Sequence, residues 1–137
     1  MKMKLAIVGS RTFMNYQKMH GEIAALIEHG DMAEPTEIVS GGAAGADSLG
    51  REYAVEMGLE YTEFPADWDV CATDCPKGHR RARTGGGSYC PTAGFRRNAQ
   101  IVDCADKVIA FWDGVSRGTK HTIGLAEKAG KLIKVVE

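Results

Sequence analysis

Short apolar runs alternate along this chain with longer segments whose apolar positions recur every three to four residues. Five runs read as strands: residues 4–8, 37–39, 59–64, 107–111 and 132–136. Between them lie helical patterns. Over residues 16–29, Met19, Ile23, Leu26 and Ile27 share one face, and toward Met57 so do Leu49, Tyr53, Ala54 and Met57. Further helices are predicted over 94–103 and 119–129, the second closed by Gly130 at its C-terminal end. Alternation of this kind predicts an α/β chain: a Rossmann-like, doubly wound, mainly parallel five-stranded sheet flanked by helices. Residues 66–93 break the rhythm. They are too long for an ordinary strand-to-helix connection and carry no periodicity.

Three predicted strands run into loops rich in glycine and hydroxyl groups. The first carries Gly9, Ser10, Arg11 and Thr12, and the second carries Ser40, Gly41, Gly42, Ala43, Gly45 and Asp47. The third carries Trp112, Asp113, Gly114, Ser116, Gly118 and Thr119. In an open parallel sheet, ligands bind outside the carboxyl ends of the strands, where helix N-termini present free N–H groups to anions. Small residues let the backbone approach a phosphate, and Arg11 adds a fixed charge. The alternative for each loop is a tight turn and nothing more. Neither a G-x-G-x-x-G fingerprint nor a P-loop triplet is present. Trp68 and Trp112, at the same ends of their segments, suit base stacking or core packing alike.

The irregular segment has chemistry of its own. Cys71, Cys75, His79 and Cys90 supply three thiols and one imidazole, a set that suits structural zinc. The segment has almost no apolar core, so a metal would explain how it folds; incidental thiols in a mobile loop are the alternative. Cys104, at a helix end, reads as a buried apolar residue.

Composition narrows the class. The chain has 137 residues, 44% of them hydrophobic, and a net charge of −1, which excludes a strong overall pull toward nucleic acid or membranes. The charge is unevenly spread, however. Lys77, Arg80, Arg81, Arg83, Arg96 and Arg97 lie between residues 75 and 102 with no acid among them, which leaves 11 basic residues against 18 acidic elsewhere. Such a basic stretch attracts phosphate or a nucleic-acid backbone, or is simply solvated. Tyr89 and Phe95 could stack on a base. The first apolar run is too short for a secretory signal and no run approaches a membrane span, so the expected location is cytoplasmic, with no membrane partner.

Taken in order, residues 8–13 (VGSRTF), 40–47 (SGGAAGAD), 64–68 (FPADW), 97–98 (RN) and 110–114 with 118–119 (AFWDG and GT) resemble the YspA-like branch of the SLOG superfamily. That superfamily takes its name from the Smf/DprA proteins and the lonely-guy phosphoribohydrolases. The likeness runs over nearly the whole chain, which makes residues 1–137 one SLOG-type domain interrupted by an insertion at about 69–93. It implies a pocket for nucleotides or nucleotide-derived ligands, such as ADP-ribose derivatives. It adds Asp67, Arg97 and Asn98 to the pocket residues above. Enzymes of the superfamily remove a base from a nucleoside monophosphate, using an arginine and a glutamate after their glycine-threonine pair. Here Lys120-His121-Thr122 follow Gly118-Thr119, which is a departure from that pattern.

The expected function is therefore binding of a nucleotide-derived small molecule, as a sensor or sequestering protein, with zinc holding a basic flap. Two alternatives stand beside it. One is a hydrolase of nucleotide N-glycosidic or phosphate-ester bonds, with Asp47 or Asp113 in the acid/base role that carboxylates play in glycoside hydrolysis. The other is a single-stranded nucleic-acid module working through Lys77, Arg80, Arg81 and Arg83. Homo-oligomers are common for this fold type.

Overall fold

A computed structural model describes residues 2–66, 68–69, 71, 75, 78–82 and 86–137. Five parallel strands form the sheet: β1 (Lys4–Gly9), β2 (Glu37–Ser40), β3 (Glu60–Glu63), β6 (Lys107–Phe111) and β7 (Leu132–Val136), in the spatial order β3-β2-β1-β6-β7. Four helices connect them: α1 (Tyr16–Glu28), α2 (Ala46–Met57), α3 (Ala93–Cys104) and α4 (Arg117–Lys128). Between β3 and α3 the chain forms a short antiparallel hairpin, β4 (Arg81–Ala82) and β5 (Ser88–Tyr89), in which Arg81 pairs with Tyr89. The predicted Rossmann-like architecture is thus present. The hairpin, two residues a side, is too short to leave a period in the sequence.

The central strands are buried on both faces, so they read as continuous apolar runs. Alternate residues go to opposite cores. Leu5, Ile7, Ile38, Ile109 and Phe111 meet α1 and α2 through Met19, Ile23, Leu49 and Tyr53. Ala6, Val8, Val39, Val108 and Ala110 meet α3 and α4 through Ile101, Val102, Ile123 and Ala126. At one edge, β3 exposes Glu60 and Glu63, charges that discourage pairing with another strand.

The order of strands reverses between β1 and β6. From β1 the chain crosses to β2, and from β6 it crosses to β7 on the other side. Two hydrogen bonds close the sheet just beyond this point. Ser10 N–H donates to the Phe111 carbonyl (2.9 Å), and Asp113 N–H donates to Ser10 Oγ (3.0 Å). The start of α2 is drawn to the same place, since Ala46 N–H donates to the Ser10 carbonyl (3.2 Å). Gly45 makes that approach possible. Its φ of +77° is disfavoured for other residues, and a Cβ there would run into the Ser10 and Arg11 carbonyls.

Candidate functional site

A hollow of about 340 Å³ opens at this reversal point, roofed by α3, the start of α4 and the segment before α3. It is at the small end of the usual range for ligand sites. Its polar side is formed by Arg11, Asp47, Arg97, Asn98, Ser116 and Thr119, and its apolar side by Trp68, Phe95 and Ile101. Arg117 and Gly118, at the start of α4, line it as well. Ser116, the residue capping that helix, makes no side-chain cap bond. The N-terminal turn of α4, the positive end of its dipole, therefore borders the hollow.

Asp47 is the only carboxylate among the described lining residues, and the β2–α2 loop is folded around it. Its Oδ2 accepts the N–H groups of Gly41 (3.1 Å) and Ala43 (3.3 Å). From the other side, Arg97 Nη1 donates to the Gly41 carbonyl (2.8 Å). A Cβ on Gly41 would collide with the Arg97 guanidinium, so glycine is required for this close approach. Burial pushes the Asp47 carboxyl up to about 6, against the opposing pull of Arg97, the two amides and Arg11. Burial likewise lowers Arg97. The group thus titrates near neutrality, the range in which a carboxyl can exchange a proton.

The other acid singled out in the sequence is differently used. Asp113 Oδ1 accepts Val115 N–H (2.9 Å) and Ser116 N–H (2.8 Å), which hold its carboxyl below the usual range. It builds the turn into α4 and is not among the lining residues.

Cys71, Cys75, His79 and Cys90 come together, with all four ligand atoms within 4.8 Å of one another. Cys71 Sγ lies 3.3 Å and Cys90 Sγ 3.4 Å from His79 Nε2, and the Cys75 and Cys90 sulfurs are 3.9 Å apart. Tetrahedral zinc with ordinary bond lengths would separate sulfur from nitrogen by about 3.6 Å and sulfur from sulfur by about 3.8 Å. The cluster could therefore hold a metal ion. Burial raises the Cys90 thiol, but Thr92 Oγ1 and the Arg96 guanidinium outweigh it and bring it down to about 5, whereas burial and the neighbouring Cys90 raise the Cys71 thiol. Arg96 Nη1 lies 3.5 Å from both Cys75 Sγ and Cys90 Sγ, and Arg80 Nη1 lies 3.6 Å from Cys71 Sγ. Outer donors of this kind commonly surround metal thiolates.

The cluster is joined to the hollow. Cys90 N–H donates to the Trp68 carbonyl (2.6 Å), and the Trp68 indole lies against Gly94 at the start of α3. Tyr89 meets Trp68 edge-on, with ring centroids 5.9 Å apart.

Of the residues expected from the sequence, Gly9, Arg11, Ala43, Asp47, Trp68, Arg97, Asn98, Ser116, Gly118 and Thr119 line the hollow. Ser10, Ser40, Gly41 and Gly45 are buried just behind it. Ser40 Oγ is engaged with Tyr61 Oη at 2.6 Å. Thr12, Gly42 and Gly114 are exposed and lie outside the lining. Trp112 packs with the α3–α4 core and donates its indole N–H to the Ser116 carbonyl. Asp67, Lys77 and Arg83 fall outside the described residues. The expected basic surface is partly consumed internally. Arg80 donates to the carbonyls of Asp69 and Ser88, Arg96 faces the cysteines and Arg97 holds Gly41, while Arg81 is exposed. Sequence reasoning overlooked Pro91, Gly94, Arg117 and Thr122 in the lining. Arg117 had a readable signal, a cation directly before the Gly118-Thr119 helix start, and Thr122 lies one turn further along α4; Pro91 and Gly94 depend on how the irregular segment returns.

No family model matches the chain, and no curated protein matches it. Among solved structures, it is similar to DNA processing protein A from Helicobacter pylori, with a TM-score of 0.64 and 23% identity, covering 99% of this chain and 66% of that one. That protein is described as having a unique single-stranded DNA binding mode. At this identity the likeness establishes the shared fold, and the chain spans less than two thirds of its neighbour. No helix among the described residues is long and apolar enough to cross a membrane.

Two outcomes follow from the geometry. In a ¹³C NMR titration, the Asp47 carboxyl should change protonation near pH 6; a midpoint near pH 4 would contradict the burial argument. Because the folded chain holds this proton more tightly than the unfolded one, Asp47 makes stability fall as pH rises from about 4 to about 6, by about 3 kcal/mol relative to Asp47→Asn, and no further above that. The purified protein should also carry one metal ion per chain, lost in Cys90→Ser. Its Tm should then drop by about 10 °C or more, since structural metal contributes several kcal/mol and each shifts Tm by about 3–5 °C at this chain length. A metal-free preparation whose Tm is indifferent to chelator would refute the metal site.

Proposed function

We propose that the chain is a single SLOG-type domain, of the YspA-like kind, that binds a nucleotide or nucleotide-derived molecule in the hollow between β1 and β6. The observation that carries this is the meeting of Arg11, Arg97, Arg117 and the α4 N-terminus with the Trp68 and Phe95 rings in one 340 Å³ space. Phosphate is favoured by guanidinium groups and by free helix amides, and a base or ribose face by aromatic walls. Asp47 would then orient the loop and set the charge of the floor. The role is that of a cytoplasmic sensor or sequestering protein. The metal we assign is zinc, given three thiols and an imidazole gathered within 4.8 Å of one another.

Specific observations favour each of two other readings. A carboxyl titrating near 6 and lining the hollow suits acid/base hydrolysis of a nucleotide by Asp47, with Asp113 restricted to holding α4. The fold shared with a single-stranded DNA binder suits a nucleic-acid module, for which Arg11, Arg81 and Arg117 are exposed cations at the two hollows among the described residues.

The test is incubation of zinc-loaded protein with AMP, ADP-ribose, NAD and a cyclic nucleotide, followed by ultrafiltration and chromatography of both fractions. Intact compound retained with the protein is the expected result. Arg97→Met should weaken retention by roughly ten-fold or more, as expected for loss of a charge-assisted contact. Free base or phosphate that disappears in Asp47→Asn would make the protein a hydrolase. Retention of none of the four would overturn the reading.

A further inference from the structure

Beside the first hollow lies a second, of about 730 Å³, built largely by the metal-bearing segment. The two share Trp68, Pro91, Phe95 and Arg117, so they form one continuous depression with those four residues at the seam. Beyond the seam, the second hollow is bounded by Tyr89, Arg81 and Thr92, with His79 of the metal cluster behind them. We propose that this is a second binding subsite and that the ligand is a dinucleotide, two nucleosides joined through phosphate. One unit would occupy the hollow between β1 and β6, and the other would lie on the metal-held segment.

Resting on the nucleotide reading above, this deepens it by three observations. First, size: the inner hollow is near the lower limit for ligand sites, whereas the outer one is well within the range. Second, chemistry: the outer hollow repeats the character of the inner one, with aromatic faces from Tyr89 and the half-exposed Phe95 and a cation from Arg81. Its described lining has no carboxylate. Third, the seam: Arg117 is exposed at the first position of α4, where the helix dipole and its own guanidinium both favour a linking phosphate. The Arg81–Tyr89 pairing in the hairpin places the cation and the aromatic side by side. Cys90, next to Tyr89, fixes the strand to the metal cluster and to the Trp68 carbonyl.

The experiment compares affinities by calorimetry on the zinc-loaded full chain. AMP is set against a pyrophosphate-linked diadenosine, a 3′,5′-linked dinucleoside phosphate and single-stranded oligomers of increasing length. We expect one of the two dinucleotides to bind at least ten-fold more tightly than AMP. That ratio should collapse toward one in Arg81→Glu and in Tyr89→Leu, with zinc content held at one per chain as the check on folding. The linkage that gains identifies the source of the bridging phosphate. AMP binding without any gain from a second unit would overturn this inference and leave the nucleotide reading standing. So would a gain unaffected by either variant. Absence of binding by AMP and by both dinucleotides would overturn both. Affinity that keeps rising with oligomer length beyond two units would replace the dinucleotide with a nucleic-acid strand.

Discussion

The Gly41 peptide is gripped from both sides. Asp47 accepts its N–H and Arg97 donates to its carbonyl, so a helix that follows β2 and a helix that follows the irregular segment are tied to one strand end. A carboxylate this buried is costly unless several donors converge on it. Two amides and the nearby Arg97 and Arg11 charges offset much of that cost and leave a group that titrates near 6. The shape of the hollow follows from this arrangement. With Arg97 drawn back to Gly41, space opens in front of Gly9 and the start of α4, and the guanidinium still borders it.

The opposite wall depends on a different chemistry. Residues between β3 and α3 supply few apolar side chains to the two cores, and are organised through Cys71, Cys75, His79 and Cys90. Arg80 and Arg96 serve that cluster, donating toward its sulfurs and to neighbouring carbonyl or hydroxyl groups. Among the described residues, the charges of Arg80 and Arg96 are thereby turned toward the segment's own structure. Trp68, held by its carbonyl to Cys90 and by its ring against Gly94, transmits the order of the cluster to the hollow. The sheet and the Cys/His-bearing segment thus each provide one side of the same space.

Most of the fold could be read from sequence because buried parallel strands are continuously apolar and amphipathic helices are periodic. Residues 4–8 and 107–111 announced two central strands in this way, and observed boundaries differ by only a residue or two at most ends. The Cys/His cluster was legible for another reason: thiols and an imidazole leave few alternatives once four lie within twenty residues. Less could be read where a residue's role depends on a distant partner. Nothing local distinguishes Asp113, which holds a helix end, from Asp47, which borders the hollow. Likewise Arg80 and Arg81 are adjacent in sequence and both exposed, yet Arg80 is bonded to the Asp69 and Ser88 carbonyls while Arg81 borders the outer hollow. Gly94 and Pro91 enter the lining only through the return path of the insertion, which has no period to follow.

Amide-resolved NMR during titration with AMP shows whether a nucleotide sits where the strand order reverses. Shifts should cluster at Gly9, Arg11, Ala43, Gly118 and Thr119, with the Trp68 indole moving too. The far end of the sheet, around Met32 and Gly130, should stay silent. Shifts centred away from the β1–β6 ends, or none at saturating AMP, would contradict that placement.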